Sequence, residues 1–259
     1  MRIGTYIVIL IGACFIATTG TPSFISTHDP VALVLDKTVQ HDVLFIGTTH
    51  RQPRILDFIS GLIPRLHASG ITHLGLEISS DQQKNLDHFI DSGTGLSDIR
   101  IFQGIDCPEY RQLIAVVRKS GLTPVALDLP KSMWRSPFTR DRWMAKRISD
   151  TFSKSKGVKM LVIVGNLHVF KKVAWQNPSI RDQFIRYHLN EMNPDLNLYS
   201  IAESINGSTA PCDFQKWFGN GSTPVGIETR VFDRKLGLTR TIAAKPMTAR
   251  EAVDAVIVF

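Results

Sequence analysis

Cysteine is scarce in this chain, with only Cys14, Cys107 and Cys212 in 259 residues. No spacing among them suits a zinc-ligand set, which excludes a zinc-finger type of scaffold. Cys107 and Cys212 could pair in an oxidising compartment, but nothing in their spacing requires it. Blocks of low complexity are also missing, so extensive disorder is not expected. No apolar run reaches the roughly 20 residues of a membrane-spanning helix. The formal charge is +7, from 30 Lys and Arg against 23 Asp and Glu. Basic residues gather between Arg135 and Lys159 without any nucleic-acid recognition motif. They read first as a solvated helix face, with attraction to acidic lipid or an anionic substrate as the alternative, and no nucleic-acid partner is expected.

What is present begins with the N-terminus. Met1 and Arg2 precede an apolar run from Tyr6 to Ala17, followed by small and polar residues to Ser26. This is the layout of a secretory signal, so residues 1–26 are expected to direct export, with a periplasmic destination. Ile11-Gly12-Ala13-Cys14 also approximates a lipobox, although Ile11 stands where Leu is preferred. Ordinary cleavage is the first expectation. Lipidation at Cys14 and a retained N-terminal membrane anchor are the alternatives. Residues 27–259, with a chain-wide hydrophobic content of 43%, are expected to form one domain.

Short continuous apolar runs occur at residues 42–46, 72–78, 124–128, 160–164, 196–201 and 254–259. Such runs predict strands of a sheet covered on both faces. Helical periodicity falls between them. Ile55, Phe58, Ile59, Leu62, Ile63 and Leu66 mark one helix, with Pro64 expected to kink it and Gly70 to stop it. Further helices are marked by residues 113–117, stopped by Gly121, by Trp143 to Phe152, and by residues 184–189. The alternation predicts an α/β fold with a mainly parallel sheet and helices on both faces. The stretch from Asn177 to Thr248 offers no functional motif.

One local pattern occurs twice. Val43-Leu-Phe-Ile-Gly-Thr-Thr-His50 and Leu161-Val-Ile-Val-Gly-Asn-Leu-His168 each place Gly-x-x-His after four apolar residues. Glycine after a strand permits a sharp turn with unusual backbone angles. The histidine can then project over the carboxyl edge of the sheet, where open α/β folds bind ligands. If the two strands are neighbours, both imidazoles share one crevice. Glu77 sits near the end of another apolar strand, where an unpaired charge would be costly. Asp128 ends a third, but it reads slightly better as a turn residue before Pro130. Arg140 opens a helix and could aim at a carboxylate or phosphate, whereas Asp141 beside it reads as an acid favouring the helix dipole. Two histidines and a carboxylate suit a divalent transition metal bound by His50, Glu77 and His168. They suit metal-free acid–base catalysis on water equally well.

This ordered set resembles the TIKI/TraB/ChaN/erythromycin-esterase superfamily. The matching pieces are Gly47-Thr-Thr-His50, Leu76-Glu77, the Arg140–Ala145 segment and Gly165-Asn-Leu-His168. The segment from Tyr110 to Pro130 also resembles the ChaN and esterase branches. The resemblance implies catalytic roles for His50, Glu77, Arg140 and His168. It also implies three kinds of function. One is an exported hydrolase, possible as a metal-dependent enzyme, acting on a peptide, ester or lactone. Another is a haem-binding lipoprotein of iron uptake, in which a tyrosine ligates haem; neither Tyr110 nor Tyr187 aligns with that role. The third is a binding module that keeps the fold without turnover. Several branches carry Glu directly after the first glycine, whereas this chain carries Thr48, which weakens the esterase assignment.

Overall fold

The computed structural model describes residues 28–204, 223–231 and 244–259. Seven strands form one sheet in the order β3-β2-β4-β1-β5-β7-β6. They are β1 (Val43–Thr48), β2 (His73–Ser79), β3 (Thr123–Asp128), β4 (Met160–Gly165), β5 (Leu198–Ser204), β6 (Val225–Glu228) and β7 (Ala255–Val258). All neighbouring pairs are parallel except β6 with β7. The six strands expected from sequence are therefore present. β6 was not foreseen, because its four residues lie in the stretch without motifs.

Helices cover both faces, as the continuous apolar strands require. On one face lie α1 (Pro30–Gln40), α2 (Pro53–Ala68), α3 (Gln83–Ser92) and α4 (Pro108–Ser120). They bury Leu33, Ile59, Phe89 and Leu113 against Leu44, Ile46, Leu161 and Ile163. On the other face lie α5 (Arg140–Lys154), α6 (Ile185–Met192) and the short α7 (Ala249–Ala252). They pack Met144, Ile148, Ile185 and Ala252 against Val43, Phe45, Met160 and Val162. Successive residues of β1 and β4 thus feed opposite cores, as the pleat dictates. α2 continues through Pro64, and α4 ends at Gly121 in the left-handed conformation, with φ 79°. Cys107 is buried beside α4, while Cys212 and the whole N-terminal segment to residue 27 lie outside the described residues. Among the described residues, no helix is long and apolar enough to cross a membrane.

The sheet order decides where chemistry can gather. β1 is flanked by β4 and β5, and β4 is flanked by β2 and β1. The two strands that carry the repeated motif are neighbours, with Gly47 opposite Val164 and Thr48 opposite Gly165. Their carboxyl ends open on the same edge as those of β2 and β3.

Candidate active site

Each motif's glycine makes room for the other motif. A β-carbon on Gly165 would lie 2.8 Å from Cε1 and 3.2 Å from Nε2 of His50, and 3.5 Å from Cδ2 of His168. A β-carbon on Gly47 would lie 2.6 Å from Oδ1 and 2.9 Å from Cα of Asn166. The glycines are therefore required by close approach rather than by backbone angles. Gly165 has an ordinary φ of −59°, which corrects the reason expected from sequence. The unusual angle falls on Arg51 instead, with φ 58° just after His50.

Pleating turns Glu77 towards α5, since its neighbours Leu76 and Ile78 face the opposite core. Glu77 is only 3% exposed. Its Oε2 accepts the Gly165 amide at 2.7 Å, and its Oε1 accepts from Arg140 at 2.5 Å. Arg140 is placed by the start of α5, where the Thr139 hydroxyl caps the helix. Its guanidinium grips Asp128 with two bonds, 2.6 Å to Oδ1 and 2.8 Å to Oδ2. Its remaining nitrogen donates to Nε2 of His168 at 3.2 Å. Burial works against the charge on Arg140, but Asp128 and Glu77 more than offset it and raise its pKa. Asp128 also accepts the Leu129 amide at 2.8 Å. It is the last residue of β3 rather than part of a turn, which corrects the reading from sequence, and it is a member of the site.

His168 is held from its other side by a residue that sequence reasoning missed. Asp141 Oδ1 lies 2.7 Å from Nδ1 of His168 and also accepts the Ile185 amide at 3.2 Å. Asp141 therefore does more than favour the helix dipole, which corrects the expectation from sequence. It is buried and orients the ring. Arginine can only donate, so Nε2 accepts in this arrangement and Nδ1 carries the proton towards Asp141. Burial lowers the affinity of His168 for a second proton, but the hydrogen bond and charge of Asp141, aided by Glu77, raise its pKa overall. A proton arriving at Nε2 would displace the Arg140 donor. Proton uptake at His168 and release of Arg140 are thus coupled.

Asn166 and Glu203 were also missed. Asn166 donates to the Thr49 hydroxyl at 3.2 Å and the Glu203 carbonyl at 3.1 Å, and accepts the Glu203 amide at 2.8 Å. Glu203 Oε2 accepts the Thr49 amide at 2.5 Å. The rule that singled out Glu77, an acid near the end of an apolar strand, would have found Glu203 had the predicted strand not stopped at residue 201.

His50 is exposed and lines a narrow cleft of about 10 Å³, room for roughly one water, that also touches Glu77 and Tyr110. A wider cleft of about 930 Å³ extends from Glu77, Asp128 and Arg140. Phe102 and Trp134 line it at 66% and 67% exposure. They are two of the four strongly exposed large apolar side chains among the described residues.

The sequence expectation placed a metal on His50, Glu77 and His168. Among the described residues, no group of three or more His, Cys, Asp or Glu side chains is arranged to hold a metal ion. Both oxygens of Glu77 and the free nitrogen of His168 already face N–H donors. A cation would have to share that space with the Arg140 guanidinium, so this donor set does not fit a metal.

No protein-family model matches the sequence, and no curated protein matches it. Solved structures do match. An erythromycin esterase mutant in its open conformation superposes with a TM-score of 0.65 at 12% identity, covering 88% of this chain and 92% of that one. The haem-bound ChaN of Campylobacter jejuni gives 0.55 at 14% identity, covering 87% and 90%. A succinoglycan biosynthesis protein gives 0.62 at 11% identity, covering 87% and 89%. The chain has the ChaN/erythromycin-esterase fold. Identities this low establish the shared fold and leave the function of this ChaN/esterase-like chain to its own residues.

Proposed function

We propose that this chain is a hydrolase that activates water by acid–base chemistry on a small-molecule ester or lactone, or on a peptide. The observation that carries this reading is the Asp141–His168–Arg140 arrangement facing His50 across Gly165. A histidine oriented by a carboxylate is the usual form of a catalytic base or acid. His50 stands exposed, able to take a proton from water. Arg140 offers N–H donors where negative charge would develop on a carbonyl oxygen, with Glu77 and Asp128 holding it in place. His168, once it has taken up a proton at Nε2 in place of the Arg140 donor, would give that proton to the leaving group, and the proton held by His50 would then return to solvent. The wide cleft supports a substrate with an apolar body resting on Phe102 and Trp134.

The test is turnover of a panel of chromogenic esters, lactones and peptides by purified protein, its His50→Ala and His168→Ala variants, and a melting control. Loss of a general acid–base group costs about 10²–10⁴-fold. Unchanged turnover in both folded variants rejects the reading, and absence of turnover by the folded wild type leaves a non-catalytic binding module.

A haem-binding role is the second reading. The exposed aromatic cleft favours it, as does the fold shared with ChaN. Tyr110 does not support it as a ligand, since it is 4% exposed. Incubation with haemin is the test, and absence of a shifted Soret band counts against it. On either reading we propose an exported, periplasmic protein. N-terminal sequencing and mass analysis of the mature chain distinguish cleavage, lipidation at Cys14 and a retained membrane anchor.

A further inference from the structure

We infer that Glu203 is the positioning residue that fixes the His50 turn against the His168 turn. It rests on the reading of the two histidines as the working pair. Glu203 is the last residue but one of β5, the neighbour of β1 on the side away from β4. Its carboxylate takes the amide of Thr49, the residue directly before His50. Its backbone exchanges two bonds with Asn166, which stands inside the second motif. Asn166 in turn reaches the Thr49 hydroxyl. One residue therefore touches both turns, through its side chain on one and its backbone on the other.

The His50 turn needs such a hold. Arg51 occupies left-handed backbone space that a side chain disfavours, and such strain persists only when surrounding contacts over-determine it. Glu203 is 3% exposed, and among the described residues its Oε1 has no hydrogen-bond partner. A buried carboxyl with an idle oxygen is costly to keep for packing alone. Burial pushes its pKa up to about 7 in spite of the Thr49 amide.

Two neutral substitutions of similar length separate this role from simple filling of space. Glu203→Met keeps the volume but offers no good acceptor to the Thr49 amide. Glu203→Gln keeps an acceptor. NMR of the full chain reads the imidazole resonances of His50 and His168, and hydrogen exchange reads the Thr49 amide. In Glu203→Met, the His50 resonances should move beyond their line widths and the Thr49 amide should exchange roughly ten- to a hundredfold faster. His168 should stay in place, because the backbone bonds to Asn166 survive. In Glu203→Gln both histidines should match the wild type. The proposal is overturned if His50 and Thr49 in the Met variant match the wild type, if His168 moves as far as His50, or if the Gln variant moves as far as the Met variant. None of these readouts depends on turnover, so failure of the hydrolase reading would be seen separately.

Discussion

Glu203 should cost the protein stability at neutral and alkaline pH, and replacing it with glutamine should recover that cost. Its folded pKa is raised from 4.5 to about 7, chiefly by burial, with the Thr49 amide opposing the shift. The folded state therefore holds the proton more tightly than the unfolded chain. The associated stability is fully present below about pH 4.5 and is lost as pH rises through 7. The difference of 7 − 4.5 is about 2.5 units, which at 1.36 kcal/mol per unit is about 3 kcal/mol. Glutamine does not titrate. The stability of Glu203→Gln relative to wild type should therefore rise by about 3 kcal/mol between pH 4.5 and 8, then level off. In a domain of this size that is roughly 6–12 °C in melting temperature. Urea denaturation of both proteins at pH 5, 6, 7 and 8, followed by tryptophan fluorescence, measures the difference. A gap that stays constant across this range, or that narrows as pH rises, refutes the burial argument.

Four other outcomes are expected. Asp141→Asn keeps the bulk but weakens the orientation of His168, so kcat should fall about 10–100-fold with little change in KM. Gly165→Ala places a methyl group 2.8 Å from the His50 ring, a movable group, so turnover should fall more than thermal stability. Gly47→Ala meets the Asn166 backbone at 2.9 Å and should destabilise the fold by about 1–3 kcal/mol in denaturant titration. Trp134→Ala and Phe102→Ala remove exposed side chains, so melting should hold while KM for apolar substrates rises; equal KM values would separate the wide cleft from substrate binding.

Much of this architecture was legible because apolar runs and glycines act locally. The two motif strands announce themselves by residues 43–46 and 161–164, and the structure makes them neighbours. Glu77 stood out because an acid in an apolar strand demands a partner, and it has two. Partners that arrive from elsewhere were less legible. Asp141 looks like an ordinary helix-start acid until the start of α6 delivers the Ile185 amide and the turn after β4 delivers His168. β6 is only four residues long and pairs antiparallel at the sheet edge, too short for periodicity to reveal. Thr48 weakened the esterase resemblance for want of a carboxylate beside the first turn. A carboxylate does reach that turn, from Glu203, 154 residues beyond Thr49.

The mutual accommodation of Gly47 and Gly165 also bears on how the molecule is made. β1 and β2 leave the ribosome early but are not partners, because β4 enters between them. Until residue 165 is in place, the His50 ring lacks the surface it rests on, and Glu77 lacks the amide that holds it. Completing the centre of the sheet and assembling the site are one event. The nascent chain therefore cannot present a competent half-site. Long-range pairing of this kind is slow to form, so it delays the paired histidine site until the fold that contains it is nearly finished.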